Sequence, residues 1–254
     1  MIRIGVTGAT GAMGSTVLDV AAERDDVGCV LASTRSGTLD RDVRTVRHAD
    51  LEAALSEADV DVLVDFTVPE ASVAAVEAAA AAGCAAAVGT TGFDDDQRSV
   101  IEDAAGTIPV LVAANFSRGI QALRAALEAA LSRMPDADVE ITETHHSRKR
   151  DAPSGTALTL VEDVEALRPD ASRVHGRFGD TPRSPDDIGI HARRAGTVRG
   201  EHELLLAGDE ETITLTHRSG SRRIFATGAL DAAVWLAERS PGSYTFDGVV
   251  AHRA

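Results

Sequence analysis

Through the first half of the chain, short apolar runs alternate with alanine-rich segments whose apolar residues recur at helical spacing. Residues 2–7 and 27–32 read as strands, 13–22 as a helix opened by a glycine turn, and 51–56 as a short helix. Residues 60–67 form an apolar run interrupted only by aspartates towards its ends, the pattern of a parallel strand buried on both faces. A helix over 69–82 follows, with Pro69 where a missing N–H costs nothing and Gly83 at its end. Residues 85–89, 94–105 and 110–113 continue the strand–helix–strand rhythm, which predicts an α/β fold with a doubly wound parallel sheet.

The pattern changes after residue 117. A long amphipathic helix is predicted over 120–131, then a strictly alternating strand over 138–144 with Val139 and Ile141 on one face and Glu140, Thr142 and Thr144 on the other. A helix over 156–167 precedes residues 168–187, rich in Pro, Arg, Asp and Gly and read as a long loop. Strands at 188–193, 202–206 and 211–217 suggest an open mixed sheet, while a helix over 224–238 and a last strand over 244–250 resemble returning elements of the first layer. The expected organisation is therefore a Rossmann-like domain from residues 1–117 and 222–254, and a second α+β domain, residues 118–221. The breaks near residues 117 and 221 read as hinges about which the domains close.

Composition narrows the possible partners. With 254 residues, 44% of them hydrophobic, the chain can bury a substantial core. No run approaches eighteen apolar residues and Met1 leads directly into a strand, so neither a membrane span nor a signal peptide is expected, and the reading is cytoplasmic. Cys29 and Cys84 read as small core residues without metal-ligand spacing, and no metal site is expected. A net charge of −15 argues against nucleic acid, whose phosphates need a basic footprint. Acidic patches such as Asp94, Asp95 and Asp96 resemble the solvated surfaces of proteins from salt-loaded, halophilic cytoplasms, although a GC-rich genome also favours Ala and Arg over Lys.

Candidate chemistry gathers in one stretch, residues 143–157. Adjacent imidazoles, His145 and His146, precede the cations Arg148, Lys149 and Arg150, and Ser154, Gly155 and Thr156 follow where a helical pattern begins. Imidazole titrates near neutral pH, and a helix start offers N–H groups to an anion. Of the 25 basic residues Lys149 is the one lysine, the other 24 being arginines, and an ammonium can release a proton that a guanidinium retains. The plainer reading is a solvated basic loop with an accidental lysine.

In the first domain Gly8, Ala9, Thr10, Gly11, Ala12, Met13 and Gly14 join a strand to a helix, the context in which glycines let backbone amides approach a pyrophosphate. Gly89, Thr90, Thr91 and Gly92 follow another strand at the same edge of the sheet, with two threonines read as exposed, and Ala113, Ala114, Asn115, Phe116 and Ser117 follow a third. Arg222 and Arg223 read either as a salt-bridged hinge or as cofactor contacts, and His48, His175, His191, His202, His217 and His252 as surface or packed residues. At the end of the second strand Ser33, Thr34, Arg35 and Ser36 replace the acidic residue that would bond an adenosine ribose and repel a 2′-phosphate; NADPH is therefore preferred, with NADH possible.

Taken together and in order, these motifs, with Asp65-Phe-Thr, Gly200-Glu-His202 and Arg222 through Leu230, resemble the 4-hydroxy-tetrahydrodipicolinate reductase (dihydrodipicolinate reductase) family. The resemblance implies NAD(P)H-dependent reduction of a cyclic imine bearing two carboxylates in lysine and diaminopimelate synthesis, by a homotetramer formed through the second domain's sheet. It assigns His145 as general acid–base, Lys149 as a second proton donor and His146 as a substrate contact; the Ser154, Gly155 and Thr156 helix start reads as a cradle for a substrate carboxylate, and the glycine-loop, Thr34–Arg35, 89–91 and 113–116 residues as the cofactor site. Ala12 departs from the family's usual arginine, and Thr34 from the acid found in many members. The competing classes are a non-catalytic dinucleotide redox sensor, which would need the glycine loop alone, and another small amino-acid dehydrogenase.

Overall fold

Alternate residues of the first strands serve two separate cores. Ile4, Val6, Val62, Val64, Ala85 and Ala87 pack into one apolar cluster, whereas Leu63, Ala86 and Val88 pack into another on the opposite face. Apolar residues on both faces explain why these strands read as continuous hydrophobic runs. The computed structural model describes residues 1–251, and residues 252–254, including His252, lie outside the described part. The chain divides into two compact units, Met1–Ser117 with Arg222–Ala254, and Arg118–Ser221.

Unit 1 contains strands β1 (Ile2–Thr7), β2 (Val27–Thr34), β3 (Arg44–Arg47), β4 (Val62–Asp65), β5 (Ala85–Val88) and β6 (Pro109–Val112). Its helices in this part are α1 (Ala12–Ala21), α2 (Leu51–Glu57), α3 (Pro69–Ala82) and α4 (Asp95–Ala105). Unit 2 contains α5 (Arg118–Leu131), β7 (Asp138–His145), α6 (Gly155–Leu167), β8 (Ser172–His175), β9 (Asp187–Arg194), β10 (Glu201–Ala207) and β11 (Thr212–Arg218). The chain then returns to unit 1 with α7 (Arg223–Leu236), β12 (Gly242–Tyr244) and α8 (Phe246–Ala251).

The seven strands of unit 1 lie in the order β12-β6-β5-β4-β1-β2-β3 and all pair in parallel. This is the doubly wound, Rossmann-like sheet that the alternation predicts. The five strands of unit 2 lie in the order β11-β10-β7-β9-β8, with β10 antiparallel to its neighbours and the rest parallel. One face of this mixed sheet packs Val139, Ile141, Ile190 and Leu204 against Leu127 of α5 and Leu160 of α6. The other face carries charge, with Glu140 bonded to Arg177, Arg183 and His191.

The structure corrects three readings. Residues 244–250 are not a strand: β12 ends at Tyr244 and α8 follows. Phe246 and Val249, three residues apart, are both buried, a helical spacing that alternation of Tyr244, Phe246 and Val250 had disguised. The presumed long loop holds β8, and β3 was not anticipated. Both are edge strands with a single apolar residue, built by backbone pairing that no hydrophobic pattern announces.

Candidate active site

In unit 1 the site grows from the end of β1. Gly8 adopts φ +70, and a Cβ there would sit 2.2 Å from the carbonyl oxygen of Phe66. A Cβ at Gly14 would lie 2.2 Å from the Gly8 carbonyl oxygen, so the glycine spacing is imposed by close packing of α1 on the turn. Gly11 is the N-cap of α1, and no side chain caps this helix. Its first N–H groups, which have no intrahelical acceptor, face the turn.

From this turn a cavity of about 760 Å³ extends past Ser33, Thr34, Arg35 and Ser36 to His48 and, on its other wall, to Phe66, Thr67, Val68 and Ala71. A volume of this order suits a nucleotide. Among the described residues lining it, none is acidic. The hydroxyl of Thr34 accepts from the Gly37 N–H at 2.9 Å and so shapes the turn after β2, leaving exposed Arg35 beside the cavity. His48, taken as a surface or packed residue, lines the cavity instead. Its Nε2 donates to the Ala71 carbonyl oxygen at 2.8 Å, and its Nδ1 lies 3.3 Å from Ser33 Oγ.

Asp65, at the end of β4, is buried and accepts from three threonines: Thr7 at 2.6 Å, Thr67 at 2.7 Å and Thr90 at 2.6 Å. The expectation of two exposed threonines is thus half wrong: Thr90 is buried on Asp65, and Thr91 is exposed. Gly89 is required because a Cβ would strike the Phe66 ring at 2.1 Å. Ala9 is fully buried in the core, and neither Ala12 nor Met13 lines the cavity. Of the stretch after β6, Ala114 is exposed, Asn115 accepts from the Ser117 N–H, and Phe116 is buried between the rings of Phe66 and Phe246. Arg223 forms an ion pair with Glu23.

In unit 2 the register of the sheet assembles the second cluster. Glu143 and His145 lie on the inward face of β7; His202 on β10 is opposite Glu143, and Arg194 on β9 is opposite His145. Glu143 is fully buried and bonds the His145 Nδ1, both terminal nitrogens of Arg194 and the Ser154 N–H. Burial alone would raise its pKa, but the bonds from His145 and Arg194 outweigh that and hold it down to about 2. His202 is buried, 5.3 Å from the His145 ring centroid, and burial, reinforced by repulsion from His145, pushes its pKa down to about 4.

Ser154 is the N-cap of α6: its Oγ accepts from the Ala157 N–H and lies 3.2 Å from His202 Nε2. Gly155 is exposed at the first turn and Thr156 is buried. Lys149 extends to Asp151, 2.8 Å from its carboxylate, and His146 is half-buried on the intervening turn, its carbonyl accepting the Lys149 N–H. One loop of unit 2 thus unites His145, His146, Lys149 and the Ser154–Thr156 helix start, while Glu143, Arg194 and His202 were absent from the sequence-based set. The signal for Glu143 was available: it continues the Val139–Ile141 face, where a carboxylate needs a partner.

A parallel sheet with a glycine turn, a nucleotide-sized cavity at its carboxyl edge and a separate acid–base cluster define a dinucleotide-dependent oxidoreductase. Residues 2–116 match the family profile described as dihydrodipicolinate reductase, N-terminus, and residues 119–250 its C-terminus. The chain belongs to the dihydrodipicolinate reductase family. It is 51% identical to the 4-hydroxy-tetrahydrodipicolinate reductase of Natronomonas pharaonis over 98% of this chain and 100% of the relative, and 48% identical to that of Haloarcula marismortui over 98% and 99%. Among solved structures, the dipicolinate-bound dihydrodipicolinate reductase of Paenisporosarcina sp. TG-14 aligns with a TM-score of 0.79 and 25% identity over 96% of this chain and 97% of that one. The diaminopimelate (DAP) dehydrogenase of C. glutamicum, in complex with DAP, has a TM-score of 0.61 at 16% identity over 98% and 95%, a likeness of fold.

Proposed function

We propose that this chain reduces 4-hydroxy-tetrahydrodipicolinate to tetrahydrodipicolinate with a nicotinamide dinucleotide, in lysine and diaminopimelate synthesis. The observation that carries the reading is the loop of unit 2, where a proton-exchanging imidazole, the chain's one lysine and a helix start lie within about a dozen residues. Unit 1 holds the dinucleotide: the Gly8–Gly14 turn takes the pyrophosphate, with residues 34–35, 89–91 and 113–116 along its length. The dinucleotide, when bound, supplies the hydride. Unit 2 binds the dicarboxylate imine, a reading supported by the dicarboxylate dipicolinate bound to the Paenisporosarcina neighbour. The α6 start formed by Ser154, Gly155 and Thr156 cradles one carboxylate with main-chain N–H groups. His146 adds a substrate contact, His145 serves as general acid–base, and Lys149 donates a second proton. Such positioned transfer contributes about 10²–10⁴-fold. The test is dinucleotide oxidation with freshly generated substrate in high salt; no turnover with either NADPH or NADH would overturn the reading.

NADPH is the preferred cofactor. Arg35 offers a planar guanidinium at the adenosine end of the cavity, and no described lining residue is acidic. Arg35→Ala is expected to lower kcat/KM for NADPH by about tenfold, the loss of one charge-assisted contact, and leave NADH nearly unchanged. Equal use of both cofactors by the native protein would refute the preference, and an unmoved NADPH efficiency would remove Arg35 from it.

The native enzyme is a cytoplasmic homotetramer assembled through the unit 2 sheet, and it is adapted to salt. The net charge of −15 repels itself until screened. Molar potassium chloride is therefore expected to raise Tm by about 5 °C or more over dilute buffer. Identical melts in the two conditions would contradict the adaptation.

A further inference from the structure

The buried carboxylate of Glu143 uses both oxygens, and the two ends do different things. Oε1 accepts from Arg194 Nη2 at 2.8 Å and from the Ser154 N–H at 3.2 Å. Oε2 accepts from Arg194 Nη1 at 2.9 Å and bonds His145 Nδ1. Arg194 in turn donates to the Asp151 carbonyl oxygen, so the guanidinium is fixed at both ends. A carboxylate facing these four nitrogens from three residues stays ionised and acts only as an acceptor. His145 must then present a proton at Nδ1, which leaves Nε2 as the ring nitrogen free to exchange one. That edge of the ring faces Gly200, where φ is +149 and an added Cβ would lie 3.2 Å from Nε2. The glycine is suited to both the backbone and the uncrowded nitrogen.

We propose that Glu143 is the positioning residue of this site: one oxygen holds the His145 ring with a proton at Nδ1 and with Nε2 turned to the substrate, and the other anchors the Ser154 amide that begins the anion cradle. A single carboxylate thereby ties the orientation of the proton-exchanging group to the placement of the substrate-binding loop. The inference rests on the reading of His145 as the acid–base group.

Glu143→Gln tests it because the amide has one oxygen for two sets of donors. The Oε1 position faces Arg194 Nη2 and the Ser154 N–H, neither of which can stop donating. The Oε2 position faces Arg194 Nη1 and His145 Nδ1, and the imidazole can change roles. The amide oxygen therefore takes the Oε1 position, its NH₂ donates to Nδ1, and His145 switches to the Nε2–H tautomer. In serine hydrolases the analogous carboxylate-to-amide exchange costs about 10⁴ in kcat through the same tautomer error.

The experiment is ¹⁵N NMR of histidine-labelled protein, at a pH where the ring is neutral, together with steady-state kinetics. The native protein should show Nδ1–H at His145 and Glu143→Gln should show Nε2–H. In the variant kcat should fall by about ten- to a hundredfold with the dinucleotide KM unchanged. An Nε2–H tautomer in the native protein overturns the proposal without any variant, so a Glu143→Gln protein that does not fold leaves it testable. An unswitched tautomer in the variant with kcat within about threefold of native also overturns it. His145→Gln separates the two readings: full turnover there would remove His145 from the chemistry while the tautomer result stands.

Discussion

Replacing Lys149 by arginine is expected to lower kcat by about a hundredfold or more while the fold and the dinucleotide KM are retained. The side chain is only 22% exposed and its Nζ sits 2.8 Å from the Asp151 carboxylate. Burial is the largest single influence on the Asp151 carboxyl and pushes it upward, but the hydrogen bond and the charge of Lys149 together hold it below its ordinary value, so the pair is an ion pair. Arginine can keep that pairing, and the Lys149 backbone bond to the His146 carbonyl is independent of the side chain. What arginine cannot supply is a proton, since a guanidinium does not release one near neutral pH, and its wide fork replaces a compact ammonium. Charge and structure are thus held nearly constant while acidity is removed. The measurement is kcat and both KM values with circular dichroism as the control for folding; turnover within about threefold of native would take Lys149 off the list of proton donors.

Lys149 was conspicuous because a single lysine among 24 arginines is visible by counting. The parallel sheet and the glycine turn were equally visible, since both are local: strand, turn and helix follow one another in sequence, and each carries its own period or its own glycine. Glu143 was only half visible, although it lies at the head of the same stretch. Its partner Arg194 is 51 residues away and His202, facing it across the sheet, lies on another strand. The alternation of β7 says that position 143 points inward, and only the register of β9 and β10 says what awaits it there. Asp65 is the same case in unit 1, since two of its three threonine partners come from other strands or their loops. His48 was passed over because nothing in its neighbourhood marks the short 3₁₀ turn, His48–Asp50, that carries it to the cavity wall.

Local propensity points the wrong way at Gly228, where the second large effect is expected. The residue lies inside α7, where alanine is ordinarily better than glycine by about 1 kcal/mol. A Cβ at this position would stand 1.8 Å from the Phe116 carbonyl oxygen, 2.9 Å from its carbon and 3.0 Å from the Phe246 ring. The oxygen belongs to backbone that cannot swing aside, because the Phe116 ring is buried edge-on between Phe66 at 5.9 Å and Phe246 at 5.3 Å. Relief therefore requires α7 to lift from the end of β6, opening the core around Leu230 and Ala226. Overpacking of this kind costs 1–3 kcal/mol and more where backbone is struck, so Gly228→Ala should destabilise unit 1 by about 3 kcal/mol. Trp235, the chain's one tryptophan, sits on the same helix and reports the transition by fluorescence. Gly220→Ala is the matched control, since a Cβ there meets nothing within 4 Å, and its urea midpoint should stay close to native. A Gly228→Ala midpoint equal to that of the control would mean that α7 does not pack on the Phe116 carbonyl as described.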